Sequence, residues 1–149
     1  MGRLDRARAG PVIELTRCYR FSAAHVLARD DWSDAENRRR YGRCANSGGH
    51  GHNYGLEVTV RGPVDASTGE LMVRGQLDSL VAERVVARFG HCLLNGDSLF
   101  EGRVPTAENI ARAIYGELEA PVAGAGAARL VRVRVHETRK NSVTYRGTS

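Results

Sequence analysis

The run Tyr54–Arg61 alternates without a break, and this alternation constrains the fold more than any other feature of the chain. Tyr54, Leu56, Val58 and Val60 fall on one face, and Glu57, Thr59 and Arg61 on the other. A period of two suits a half-buried strand and is wrong for a helix. Three further segments read as strands. In Val12–Phe21, Ile13, Leu15, Tyr19 and Phe21 share one side, interrupted by Arg17. In Arg129–Glu137, Val131, Val133, Val135 and Glu137 oppose Arg132, Arg134 and His136; Ser142–Arg146 is short. Two helices lie between the pairs. Leu80, Val81, Ala82, Val85 and Phe89 recur at helical spacing over Asp78–Phe89, with Gly90 as a stop. The second helix starts at Pro105-Thr106, where Thr106 can cap free amides, and runs through Ile110, Ala113, Ile114 and Leu118 to a stop at Pro121. The order ββααββ predicts an α+β domain, a four-stranded antiparallel sheet with two helices on one face. Arg29–Arg43, charged and irregular, reads as a long surface loop that serves a site.

Composition narrows the class. A chain of 149 residues, 42% hydrophobic and 26% charged, fits one soluble domain over residues 11–149. Met1–Gly10 is Arg-rich with no apolar stretch behind it, so a flexible basic arm is expected rather than a secretory signal. No apolar run is long enough for a membrane span. Cys18, Cys44 and Cys92 are an odd count, which favours a reducing cytoplasm over a disulfide framework. A net charge of +5 suits an anionic ligand. Nucleic acid is not the expected partner, since no stacking platform or binding motif accompanies that charge.

Chemistry concentrates in two short segments. His50 and His52 sit two apart at a strand start, and His25 closes Phe21-Ser22-Ala23-Ala24-His25. Antiparallel pairing of the first two strands would bring the three imidazoles together. Three such ligands with an open fourth position suit a catalytic zinc, although iron, nickel and copper accept the same ligand type. Cys44, six residues before His50, lies in a polar, Gly-rich loop near Arg40 and Arg43. Positive charge favours the thiolate, the form that takes a proton. Cys18 and Cys92 lack that setting and read as packing residues. His91 follows the first helix, either as a helix-end residue or as a proton shuttle paired with Cys44. Glu137 shares the side of three valines, so its carboxylate is at least half buried and needs donors. Thr106 and Glu108 open the second helix as a cap and a dipole-compensating acid. Arg132 and Arg134 form a solvated row, or line the interior of an oligomeric barrel.

The segments FSAAH, YGRCANSGGHGHNY, PTAENIA and VHETRKNSVTYRG resemble the 6-pyruvoyl-tetrahydropterin synthase family, which includes 6-carboxytetrahydropterin synthase. The likeness runs from Cys18 to Gly147. It implies the tunnelling fold (T-fold), with trimers or hexamers whose sheets join in a barrel and whose active sites lie between subunits. It also implies zinc on His25, His50 and His52, Cys44 as the base with His91 as its partner, and a pterin held by Glu137 beside Thr106 and Glu108. The implied substrate is 7,8-dihydroneopterin triphosphate. Five residues separate Cys44 from His50, the spacing of members that form 6-pyruvoyl-tetrahydropterin; members that form the 6-carboxy product, releasing acetaldehyde, often have three.

Two departures stand out. The family usually has Asp before the histidine after the first helix, where this chain has Gly90. Val73-Arg74-Gly75-Gln76 replaces the usual acidic or amide residue followed by Phe or Leu. Without that carboxylate His91 loses an orienting acceptor. A catalytically weakened pterin-binding paralogue is therefore a further reading, and Gly90→Asp is expected to raise activity.

Overall fold

Four strands form one antiparallel sheet in the order β1-β2-β3-β4: β1 (Val12–His25), β2 (His50–Pro63), β3 (Arg129–His136) and β4 (Ser142–Tyr145). The computed structural model describes residues 11–148; the arm expected at Met1–Gly10 lies outside the described residues. The α+β expectation holds, with the helices α2 (Gln76–Val81), α3 (Ala87–Phe89) and α4 (Ala107–Gly124) between β2 and β3. Phe21, Tyr54, Leu56, Val58, Val60, Val133 and Val135 form the sheet side of the core. Helix α4 faces them with Ile110, Ala111, Ile114, Leu118 and Val122, a helical stripe that is fully buried. Among the described residues, no helix is long and apolar enough to cross a membrane.

Several boundaries differ from the sequence expectation. Pro121 does not end α4, which continues to Gly124. A proline in the last turn removes one amide donor, and Val122 still anchors that turn in the core. At the start of β3 it is Leu130 that is buried, while Val131 is only half buried, because the β2–β3 register shifts between Thr59 and Val60. Such a bulge resets which residues point inward. Cys18 is exposed rather than packed. It lies on the face turned away from the helices, where His136 meets Glu57 at 2.8 Å and Arg132 meets Glu14 at 3.1 Å.

The stretch expected to be a loop holds a helix, α1 (Asp34–Tyr41). Its eight residues carry no apolar stripe, and what starts it is a capping box. The Glu36 N–H donates to Ser33 Oγ, and the Ser33 N–H donates to Glu36 Oε2 at 2.8 Å. Asp34 and Glu36 in the first turn and Arg38–Arg40 in the last complement the helix dipole. Buried Asn37 ties α1 back to the segment after β1: Oδ1 accepts from the Arg29 N–H at 2.8 Å, and Nδ2 donates to the Arg29 carbonyl at 2.9 Å. A 3-10 turn, Gly42–Ala45, follows directly and carries Cys44, whose carbonyl accepts from the Leu27 N–H at 2.8 Å.

Between α2 and α3 the helix widens into a π-turn, Ala82–Val86. Gly90 then stops it, but not as a left-handed cap, since its φ is −64° and its ψ 130°. The residue at positive φ is His91, at 59°, alone among the described non-glycine residues. Glycine fits position 90 for a different reason. A Cβ there would lie 2.5 Å from the Val86 carbonyl oxygen, which already accepts the Gly90 N–H at 2.9 Å. Gly90→Asp therefore carries a steric cost that the sequence alone does not show, because a side chain at 90 must displace the Val86 carbonyl or the backbone leading to His91.

Two outcomes follow from these local structures. Asn37→Ala removes about 1–3 kcal/mol of local stabilisation, so hydrogen exchange should accelerate roughly 5- to 150-fold across residues 29–45, with β2 and β3 unchanged. Unaltered protection in that stretch contradicts the anchoring role. Gly90→Ala should destabilise by about 2 kcal/mol through overpacking, read as a lower denaturation midpoint; an unchanged midpoint refutes the steric account.

Candidate metal centre

The β1–β2 ladder assembles the three histidines. His25 pairs with His50, and Ala23 with His52, so three imidazoles reach one face at the end of the sheet. Their candidate ligand atoms all lie within 4.8 Å of one another. His25 Nε2 stands 2.9 Å from His50 Nε2. The ring centroids are 4.5 to 5.1 Å apart, at interplanar angles from 60° to 90°, so the rings meet edge to face around a common centre.

His25 is fully buried, and its Nδ1 lies 2.8 Å from the Pro105 carbonyl oxygen. A carbonyl only accepts, so Nδ1 carries the proton and Nε2 presents a lone pair toward His50 and His52. This is the outer-shell contact that orients a metal-ligating imidazole. Burial lowers the pKa of His25; the neighbouring histidines add to that, while the Pro105 bond and Glu137 oppose it. Burial likewise lowers the pKa of His52, with Glu137 opposing and His50 adding. Both rings are thereby held in the neutral form that binds a cation. The donor set therefore fits a metal ion of the kind that accepts imidazole nitrogen, zinc among them.

A carboxylate and a phenol border this centre. Glu137, the first residue beyond β3, places Oε1 3.7 Å from His25 Nε2 and 4.0 Å from His52 Nε2. Its carboxylate is buried to the degree expected, with 15% of the side chain exposed. Tyr54 is fully buried beneath the trio, 5.4 Å from the His52 ring and stacked on Phe21 at 5.0 Å. Burial raises the Tyr54 pKa well above its ordinary value, and the nearby Glu137 and Cys44 raise it further. Cys44 lies on the 3-10 turn whose bond to the Leu27 N–H sits two residues beyond His25. Sequence reasoning placed Tyr54 in the core only; its even spacing from His50 and His52 was the signal that it also belongs to the centre.

The remaining candidates lie around this cluster. Thr106 caps α4, accepting from the Asn109 N–H at 3.4 Å, one residue after the carbonyl that holds His25. It lines a cavity of about 960 Å³ with Tyr41, Val104 and Asn109. Glu108 is exposed in the first turn of α4 and is not among that cavity's lining residues. His91 is exposed; its N–H donates to the Ser22 carbonyl at 2.6 Å, and Leu93 bridges Ala24, so this segment covers the end of the free β1 edge. His91 borders a shallow depression with Ser22, Ala24, Asn53 and His52. No hydrogen bond joins it to Cys44 among the described residues. Cys92 is half buried and donates to the Phe89 carbonyl, in keeping with a packing role.

Residues 14–148 match the family described as 6-pyruvoyl tetrahydropterin synthase. The chain is 39% identical to a 6-pyruvoyl tetrahydrobiopterin synthase of Drosophila melanogaster, over 92% of this chain and 81% of that protein. It is 40% identical to one from Poecilia reticulata, over 89% of each. The solved structure of Caenorhabditis elegans 6-pyruvoyl tetrahydropterin synthase superposes with a TM-score of 0.86 at 35% identity, covering 94% of this chain and 99% of that one. The four-stranded sheet with its helices on one face is thus the tunnelling fold, and the chain belongs to the 6-pyruvoyl tetrahydropterin synthase family.

Proposed function

We propose that this protein is a lyase that converts 7,8-dihydroneopterin triphosphate to 6-pyruvoyl-tetrahydropterin with loss of triphosphate, using zinc held by His25, His50 and His52. The observation that carries the reading is the imidazole trio with Glu137 beside it, in a chain of this family. Bound there, zinc supplies Lewis acidity toward the substrate's side-chain hydroxyls, which makes the adjacent C–H more acidic. Cys44, as thiolate, removes that carbon-bound proton, and His91 carries protons to and from it. Glu137 accepts hydrogen bonds from the paired N–H groups of the pterin ring, with Thr106 and Glu108 at the rim of its pocket.

His91 lies on the β1 edge with no bond to Cys44 of its own chain, which supports a site shared between copies. The rest of that edge supports assembly too. Val12, Ile13 and Leu15 are exposed on an edge strand, a surface that soluble proteins normally cover. Homo-oligomers, trimers or hexamers, would cover it by joining β1 of one sheet to β4 of the next. Unpaired Cys18, Cys44 and Cys92 accord with a reducing cytoplasm.

Incubation of the zinc-loaded protein with 7,8-dihydroneopterin triphosphate should give the pyruvoyl product by mass spectrometry. Cys44→Ala should lower kcat by about 10²- to 10⁴-fold while metal is retained. Release of acetaldehyde would instead assign the 6-carboxy reaction. Binding of the pterin without turnover would mark a weakened paralogue.

A further inference from the structure

We infer that Asn95 is a positioning residue, whose carboxamide clamps the segment carrying His91 and the turn carrying Cys44 to one stretch of backbone, Ser22 to Leu27. The free edge of β1 supplies the first half of that frame. Backbone groups along a strand point alternately to its two sides, so those of Ser22, Ala24 and Val26 face away from β2. On that edge the Ser22 carbonyl accepts from the His91 N–H at 2.6 Å, and the Ala24 N–H donates to the Cys92 carbonyl at 2.9 Å. The incoming segment then bends into a 3-10 turn, Leu94–Gly96, and its backbone pairing ends. The Asn95 side chain takes the pairing over. Its Oδ1 accepts from the Val26 N–H at 2.8 Å, and its Nδ2 donates to the Val26 carbonyl at 2.8 Å. A carboxamide offers the same acceptor and donor as a peptide group, so it prolongs the pairing by one step without a strand.

The opposite side of the same stretch holds Cys44. Leu27 turns its N–H the other way from Val26, onto the Cys44 carbonyl at 2.8 Å. Val26 and Leu27 lie beyond the last ladder pair, His25↔His50, so no partner on β2 fixes them. Their N–H groups are met instead by Asn95 from one side and by Cys44 from the other. Side chains close the same junction: a Cβ built on Gly49, in the loop after Cys44, would meet Val26 Cγ2 at 3.4 Å and Leu93 Cδ1 at 3.6 Å. Loss of the Asn95 clamp is therefore felt in both functional segments at once. That the two segments serve one reaction rests on the proposed function; the clamp itself does not.

Two variants of the full chain test the coupling. Asn95→Leu removes both bonds at similar size, and Asn95→Asp keeps the acceptor but loses the donor to the Val26 carbonyl. In Asn95→Leu, hydrogen exchange at the Leu27 and His91 amides should quicken together, about 5- to 30-fold, with Val58 and Val133 unchanged. In both variants kcat for 7,8-dihydroneopterin triphosphate should fall about 10- to 100-fold while KM stays within about 2-fold. If Asn95→Leu does not fold, Asn95→Asp carries the same two readings. Quickened exchange at His91 with Leu27 unchanged overturns the inference and leaves the proposed function standing. So does a kcat equal to that of the unaltered protein. Joint quickening in a chain whose unaltered form never turns the substrate over supports the clamp and overturns the proposed function instead.

Discussion

The pairing of His25 with His50 across the β1–β2 ladder is the constraint from which the rest of the centre follows. Side chains alternate with period two along both strands, so a slip of one residue between them would send His50 and His52 to the opposite face from His25. The register is held over fourteen pairs, from Val12↔Pro63 to His25↔His50. Its apolar half, Leu56, Val58 and Val60, is fully buried under α2 and α4. Burying those side chains in the core is thus what aligns imidazoles at the other end of the same strand. The hydrophobic pattern and the ligand pattern are one pattern, read in two halves.

Around this rigid pair, short segments deliver the remaining groups, and each is anchored by a specific polar contact. The Pro105 carbonyl fixes the His25 tautomer from the start of α4, so the helix that carries Thr106 and Glu108 is coupled to a metal ligand through one hydrogen bond. Asn37 ties α1 to Arg29 and thereby positions the 3-10 turn that presents Cys44. Asn141 fixes Glu137. His91 is set differently, by a π-turn, a glycine pressed against a carbonyl, and a left-handed backbone at the histidine itself. Strained geometry of this kind, π-turns included, gathers at functional positions.

Much of this was legible before any coordinates. The alternation through Tyr54–Arg61 and the two helical stripes sufficed for the sheet and its covered face, and the even spacing of His50 and His52 for two ligands on one side. Glu137 emerged from parity with Val133 and Val135. What stayed hidden depends on backbone rather than on side-chain pattern. The helix α1 has no apolar stripe and is announced only by Ser33 and Glu36. The bulge that exchanges Leu130 for Val131 leaves no residue-type signature, and a carbonyl such as that of Pro105 has no sequence code at all. Gly90 stops the helix as its residue type announces, but the close approach to the Val86 carbonyl that it answers has no signature in the sequence.

The central claim is that three imidazoles and their surroundings form a real cation site. Elemental analysis of the purified protein, dialysed against zinc and then passed over a desalting column, tests it most directly. About one zinc ion should remain per chain, and His52→Ala should retain none while keeping the circular dichroism of the folded sheet. A well-folded protein that leaves the column without metal would contradict the account.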